Sequence, residues 1–451
     1  MKMNHLFISK EIYSGQVLWQ KSSLTKLALD KVLAYTRRQQ QKWCQYPLHK
    51  RFIFIEQIKK ALINHQDDLS RMISEEVGRT LKESRAEIDK SIRLISYCLK
   101  TAEHVLHPQI VQTQASFSEV VYEPLGVILA VMPWNYPIWQ PLRVAIPTLC
   151  AGNGCLIKPA PTVGRISEFL IEHLPKEIPL GVILLDEDTV KYAIARTDGL
   201  AFTGSVDTGR LLASSAGAHL KKTVLELGGS NPILVFEDAD IKQAAFDICY
   251  SRFRDAGQSC NAAKRVIVLK KCAEQLLSLI LAQAKKIHCG NPLSTQTQMG
   301  PLHLPNAALH MHSLVNEAIS KGAICRLGGL LPKSSVFYPP TVLEQVPLDA
   351  RVWQEEVFGP VLPIAIARDE EEAIIMANQS DFGLAAAIYT KDLHKAKSIA
   401  KRLQVGSVYI NRYTSSDIHL PFGGIKNSGY GRELSQQGFI NFVNMKSYWQ
   451  K

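Results

Sequence analysis

Residues 127–132 read VILAVM, followed at once by PWNYP at 133–137. The first run reads as a buried strand and opens an alternation that decides the fold. Pro141–Leu149 reads as a helix, GCLIK (154–158) as a strand and Gly164–His173 as a helix. GVILL (181–185) and GLAFT (199–203) are strands around a short helix, and KTVLEL (222–227) is a strand again. Strands alternating with helices in this way imply an α/β architecture with a largely parallel, doubly wound sheet. Working towards the C-terminus, a second cycle starts at PILVF (232–236). It continues through a helix from Asp240, the strand RVIVL (265–269) and a helix through Lys286, and further elements run to about Ile410. Working towards the N-terminus, Leu24 to His107 is helical, with Leu24, Leu27, Ala28, Val32 and Tyr35 at helical spacing. Two α/β lobes with a short tail result, and the boundary falls near LELGGSNP (225–232).

Composition narrows the function classes. A chain of 451 residues suggests about three domains or lobes and needs no disulfide or metal to bury a core. With 46% hydrophobic and 21% charged residues, disorder, collagen-like sequence and coiled coil are excluded as the main state. Lysine and arginine exceed aspartate and glutamate by 52 to 41. The basic residues are scattered, without a nucleic-acid-binding signature, so the surplus points to an anionic small molecule rather than to nucleic acid. Nine cysteines without a CxxC pair argue against a disulfide framework and a structural zinc site, and no metal is expected. The segment MKMNHLFISK has no apolar run long enough for a signal peptide and no stretch approaches ~18 uninterrupted apolar residues, so neither a signal peptide nor a membrane span is expected. A cytoplasmic protein of a reducing compartment is the expectation.

Five clusters hold the candidate chemistry. In PWNYP the prolines fix the backbone around Asn135. Its amide either satisfies a turn or faces a cleft as an oxyanion donor. In FTGSVDTG (202–209) a strand runs into Gly204 and Ser205 before a helix that contains Gly209. Helix N-termini bind phosphate, although the spacing is not GxGxxG and an ordinary turn competes. In LELGGS, Glu226 sits at an apolar strand end beside Leu227, where a carboxylate acts as a general base or caps backbone groups. In DAGQSCNAAKR (255–265), Cys260 stands out from the other cysteines because its neighbours are small and polar. Last come EEVFGP (355–360), with Glu356 and Phe358, and PFGGIKNSGYGRE (421–433), which suits a loop closing over a ligand.

In this order the clusters resemble the aldehyde dehydrogenase superfamily, from about residue 20 to the C-terminus. The interval between Glu226 and Cys260 also agrees with that family. KPAP (158–161), GQSCNAAKR and YTSSD (413–417) look most like the short bacterial NAD(P)-dependent succinate-semialdehyde dehydrogenases. The resemblance implies oxidation of an aldehyde by NAD or NADP, with Cys260 as nucleophile, Glu226 as base, and the Asn135 amide with the Cys260 N–H as oxyanion hole. It places Gly204, Ser205 and Gly209 at the pyrophosphate turn, Lys158 and Pro161 at the adenosine ribose, and Trp134 and Leu227 beside the cofactor. Glu356 falls at the nicotinamide ribose and Phe358 near the nicotinamide. Many NAD-preferring relatives carry a glutamate where this chain has Pro161, so a 2′-phosphate meets no such repulsion here. The chain is also compact between Gly181 and Ser205, on the adenine side.

The resemblance further assigns 1–106 and 125–227 to a cofactor-binding domain and 228–425 to a catalytic domain. Residues 107–124 and 426–451 become oligomerisation elements of a homodimer or homotetramer. Arg143 and Arg254, with Ser416, fall where such enzymes bind the distal carboxylate of succinate semialdehyde. An arginine fork suits that group, and surface ion pairs are the competing reading. Glutarate semialdehyde, uncharged aldehydes and a catalytically silent scaffold are the other functions in play.

Overall fold

The computed structural model describes residues 5–332 and 336–451. An N-terminal hairpin, β1 (Leu6–Lys10) and β2 (Val17–Ser22), precedes four helices. These are α1 (Lys26–Trp43), α2 (Leu48–Asn64), α3 (Gln66–Val77) and α4 (Leu81–Leu106). The start of α4 is fixed by a capping box: Thr80 and Glu83 satisfy each other's backbone N–H groups. Gly78, at φ +91°, ends α3 just before it. The strands β3 (Gln109–Ile110) and β4 (Phe117–Pro124) follow.

The first α/β unit then runs β5 (Val127–Val131), α5 (Trp139–Cys150), β6 (Gly154–Lys158), α6 (Gly164–Glu172), β7 (Leu180–Val182), α7 (Glu187–Arg196), β8 (Gly199–Thr203), α8 (Val206–Gly217) and β9 (Lys222–Glu226). Its sheet has the order Gly429–Tyr430, β9, β8, β5, β6, β7. Every pairing is parallel except that of Gly429–Tyr430 with β9. β5 and β8 are buried along their whole length, as strands covered by helices on both faces must be.

The second unit starts with β10 (Pro232–Val235), α9 (Ile241–Phe253) and β11 (Arg265–Leu269). Its seven strands lie in the order 324–327, 341–344, 361–367, β11, β10, 385–389, 407–410. Only the 324–327 edge is antiparallel. The expected doubly wound architecture is therefore present twice. The hairpin of β1 and β2 was not foreseen, and GVILL is a strand only over its first residues. The Ile183 N–H still donates to the Ile157 carbonyl of β6 at 2.9 Å, and Leu184 and Leu185 are buried against the core without extending that ladder.

The tail is divided. Val443–Gln450 pairs with β4 along its whole length, and with β3 makes a three-stranded sheet. Gly429–Tyr430 instead complete the first α/β sheet, so the expected oligomerisation segment 426–451 does not act as one unit.

Candidate active site

In the first sheet β5 lies at the switch point. One path leads from it through β6 and β7, the other through β8 and β9. Ligands bind beyond the carboxyl ends of strands at such a point. Those ends carry the residues singled out above: Trp134 and Asn135 after β5, Lys158 ending β6, Gly204 and Ser205 after β8, and Glu226 ending β9. Ser205 caps α8 through its side chain, so the first turn of that helix faces the same crevice.

The Cys260 loop comes from the other α/β unit. After α9 the chain turns sharply, with Asp255 at φ 53°, Ala256 at 50° and Gly257 at 73°. Two left-handed residues with side chains are costly and persist only when their surroundings hold them. Here Arg79 Nε donates to Asp255 Oδ1 at 2.7 Å, and the Tyr136 hydroxyl donates to Oδ2 at 2.6 Å. The Asp255 N–H donates to Glu83 Oε1 at 2.8 Å. Burial opposes charge on Asp255, but Arg79 and Arg254 outweigh it and hold its carboxyl below the usual range. At Gly257 an added Cβ would meet the Gly359 carbonyl oxygen at 2.3 Å, so no side chain fits there. The Asn135 amide donates to the Gln258 carbonyl at 3.0 Å, which ties the end of β5 to this loop. Its second N–H is free to serve another acceptor.

Cys260 and Glu226 lie close enough for their charges to interact. Burial pushes the Cys260 thiol up to about 11, and Arg143 works against the rise. Burial also lifts the Glu226 carboxyl well above its ordinary value; Glu433 adds to this and Arg143 again opposes it. Glu226 Oε1 is buried without a hydrogen-bond partner, a proton acceptor with nothing to accept from. Arg143 is itself buried and forms an ion pair with Glu433. Neither arginine is therefore a surface ion pair. Arg143 has a full carboxylate partner, whereas Arg254 reaches Asp255 only at 3.9 Å.

A cavity of about 650 Å³ brings Cys260, Arg143, Arg254 and Ser416 together, within the usual size of a small-molecule site. Tyr136, Trp139 and Phe422 supply its aromatic wall. Asn135 and Glu226 do not line it. One further lining residue was not legible in the sequence: Lys90 of α4, whose ammonium donates to Ser416 Oγ at 2.5 Å. Arg79, Glu83 and Tyr136 were also missed as the clamp of the Cys260 turn. Arg79 and Glu83 sit in the helical region, some 175 residues from the loop they hold, and no local pattern marks them. Glu433 ends the PFGG…GRE motif, which was its only signal.

The residues expected to hold a dinucleotide fit one on two observations. Thr203 Oγ1 and Glu356 Oε1 are buried without hydrogen-bond partners beside the crevice. At Gly228 a Cβ would meet Glu356 Oε2 at 2.3 Å, so this glycine leaves room for the carboxylate. Gly209 likewise admits Leu227, whose Cδ2 lies 2.6 Å from the position of a Cβ there. Trp134 meets Phe358 edge to face at 5.8 Å and stacks on His303 at 4.1 Å. Burial pushes the Lys158 ammonium down to about 8, with Glu187 opposing. Pro161 accepts from the Ile8 N–H, so β1 packs against the KPAP turn.

Comparison with known proteins gives the family and the fold. The profile of the aldehyde dehydrogenase family matches residues 6–448. A succinate semialdehyde dehydrogenase of Escherichia coli (strain K12), named as NAD(P)+-dependent, is 38% identical over 418 residues, covering 90% of each chain. A succinate-semialdehyde dehydrogenase of Deinococcus radiodurans, named as NADP+-dependent, is 34% identical over 98% of this chain and 94% of its own. The crystal structure of succinic semialdehyde dehydrogenase from Streptococcus pyogenes in complex with NADP+ superposes with a TM-score of 0.95. It is 31% identical and covers 98% of this chain and 99% of that one.

Proposed function

Because the chain belongs to the aldehyde dehydrogenase family, we propose that it oxidises succinate semialdehyde to succinate with NAD or NADP, through a covalent intermediate on Cys260. The observation that carries the substrate is the cavity: the wall that exposes Cys260 also presents Arg143, Arg254 and Lys90. An unpaired anion is costly to bury, so cations at this depth select a carboxylate. Relatives whose names specify succinate semialdehyde support the same reading.

The chemistry follows from the side chains. Cys260 loses its proton and its sulfur attacks the aldehyde carbon. The free N–H of the Asn135 amide and the Cys260 backbone N–H hold the oxyanion of the thiohemiacetal. When bound, NAD or NADP supplies the hydride acceptor. The thioester on Cys260 is then hydrolysed by water, whose proton Glu226 takes. The raised proton affinity of this buried carboxylate suits that role. Gly204, Ser205, Gly209 and the N-terminus of α8 hold the pyrophosphate, and Lys158 and Pro161 flank the adenosine ribose. Glu356 binds the other ribose, while Trp134, Leu227 and Phe358 pack beside the cofactor. Since Pro161 offers no carboxylate, NADP is accepted as well as NAD. At the substrate's far end Arg254 and Ser416 receive the carboxylate, and Arg143 completes the cationic wall.

The three-stranded sheet formed by Val443–Gln450, β4 and β3 is proposed as the interface of a homodimer or homotetramer. The nine unpaired thiols fit a cytoplasmic, reducing setting. Among the described residues no helix is long and apolar enough to cross a membrane. Initial rates with succinate semialdehyde, glutarate semialdehyde and butanal, each with NAD and with NADP, test the reading. Succinate semialdehyde should give the highest kcat/KM. A clear preference for butanal would remove the acidic substrate.

A further inference from the structure

Lys90 has no ion-pair partner among the described residues. It lies in the first half of α4, half-buried, on the wall of the cavity that holds Cys260. Its Nζ sits 4.3 Å from the centroid of the Trp139 ring and donates to Ser416 Oγ at 2.5 Å. No carboxylate among the described residues lies within ion-pair distance of it. The charged groups around it are mostly of its own sign: Arg254 from the turn after α9, Arg143 from α5 and Arg93 from α4 itself. Asp417, in the loop after strand 407–410, is the attractive neighbour. Glu87, one turn earlier on α4, is occupied by Arg79 and by the Ile138 and Trp139 N–H groups.

An ammonium placed among three guanidinium groups, in contact with a hydroxyl and a ring face and with Asp417 beyond ion-pair distance, is unfavourable unless an anion arrives. We propose that Lys90, oriented by Ser416, is a specificity-determining residue: it supplies a further cationic contact to the distal carboxylate of the semialdehyde. This rests on the acidic-substrate reading given above. It also explains why Ser416 is buried with its oxygen committed to a lysine rather than to a backbone group. Ser416 keeps a hydroxyl proton to donate to the substrate once Lys90 occupies its lone pair.

The charge of Lys90 then depends on pH and on substrate. Burial, together with Arg254 and Arg143, pushes its ammonium down to about 7. Below that pH it is charged and ready for a carboxylate. Above it, binding the carboxylate requires a proton to be taken up, so the preference for an acidic aldehyde weakens as pH rises. Cys260 and Glu226 titrate for either substrate. The ratio of kcat/KM for an acidic to a neutral aldehyde therefore isolates Lys90.

The experiment measures that ratio, succinate semialdehyde to butanal, from pH 6 to 9 in wild type, Lys90→Met, Lys90→Arg and Arg254→Ala. In wild type the ratio should fall as pH passes through the region of 7 to 8. Lys90→Met should lower it roughly 10- to 150-fold at pH 6, the worth of one charge-assisted contact, and remove its pH dependence. Lys90→Arg should keep the ratio high and flat, because guanidinium stays charged throughout. If Arg254→Ala lowers the ratio while Lys90→Met leaves it within about threefold of wild type, Lys90 is a bystander and the acidic-substrate reading survives. If wild type shows no preference for any acidic aldehyde, glutarate semialdehyde included, both fall. A Lys90→Met loss equal on both substrates also overturns the proposal, since it marks a structural role.

Discussion

Arg143 and Glu433 form a buried ion pair between α5 and the segment that follows Gly429–Tyr430, and both act on the proton affinity of Glu226. Glu433 raises it and Arg143 lowers it. In Glu433→Gln the raising charge is gone and Arg143 is left without its partner. Both changes favour the ionised form of Glu226. The alkaline-rising limb of kcat, measured where thioester hydrolysis limits turnover, should move towards acid. A limb that stays in place or moves towards alkali would show that Glu433 does not act on the base.

Cys260→Ala should abolish dehydrogenase activity while cofactor still quenches tryptophan fluorescence, because no other cysteine lines the cavity except Cys249 on its α9 side. Glu226→Gln should acylate and then stall, giving a burst of reduced cofactor followed by a slow phase. Wild-type steady-state rates in Glu226→Gln would remove it as the hydrolytic base.

Arg79 holds the strained turn that delivers Cys260. It pairs with both Glu87 and Asp255, all three buried. Replacing it with methionine leaves Glu87 without its cation and Asp255 with only Arg254, 3.9 Å away, and breaking such a buried pair costs about 3–5 kcal/mol in comparable cases. Urea unfolding of Arg79→Met should show a loss of that size, together with reduced alkylation of Cys260 by a thiol reagent. A loss below about 1 kcal/mol would mean that the network relaxes without it.

The two sheets and the strand-end residues were legible because parallel strands covered on both faces read as unbroken apolar runs, and the polar residues that interrupt them fall at their ends. Asn135 and Glu226 stand out for that reason. GVILL overran because burial and pairing leave the same mark: Leu184 and Leu185 are apolar for the core, not for a ladder. Lys90 and Arg79 were illegible for the opposite reason. A cation in or beside an amphipathic helix looks solvated unless one knows what packs over it. Over Arg79 lies the cysteine loop, 176 residues further on at Asp255, and against Lys90 lie Trp139 of α5 and Ser416, 326 residues further on. Arg143 was visible as a cation near the site, but its partner Glu433, 290 residues away, was not.

The strand Val443–Gln450 leaves Met445, Tyr448 and Trp449 exposed, as β3 does Ile110. Apolar side chains on a small three-stranded sheet need a cover. A chain ending at Gly438 should fall to a smaller mass by light scattering. An unchanged oligomeric mass would take this sheet out of the interface.

The arginines should separate by their partners. Among the described residues Arg254 has no carboxylate closer than 3.9 Å, and its guanidinium lies 5.4 Å from the centroids of both Tyr250 and Tyr413. Its charge is available to substrate. Arg143 already neutralises Glu433 and also lowers the proton affinity of Cys260 and Glu226. Arg254→Ala should therefore cost succinate semialdehyde about 1.5–3 kcal/mol in kcat/KM and butanal far less. Arg143→Ala should slow both substrates, because thiol and base each lose the cation that favours their charged forms. Its losses should shrink as pH rises and ionises both groups regardless. The measurement is kcat/KM for the two aldehydes from pH 7 to 9.5 in each variant. Equal losses on both substrates in Arg254→Ala would make that arginine structural. A selective, pH-independent loss in Arg143→Ala would instead make Arg143 the principal carboxylate ligand, with Glu433 swinging away when substrate binds.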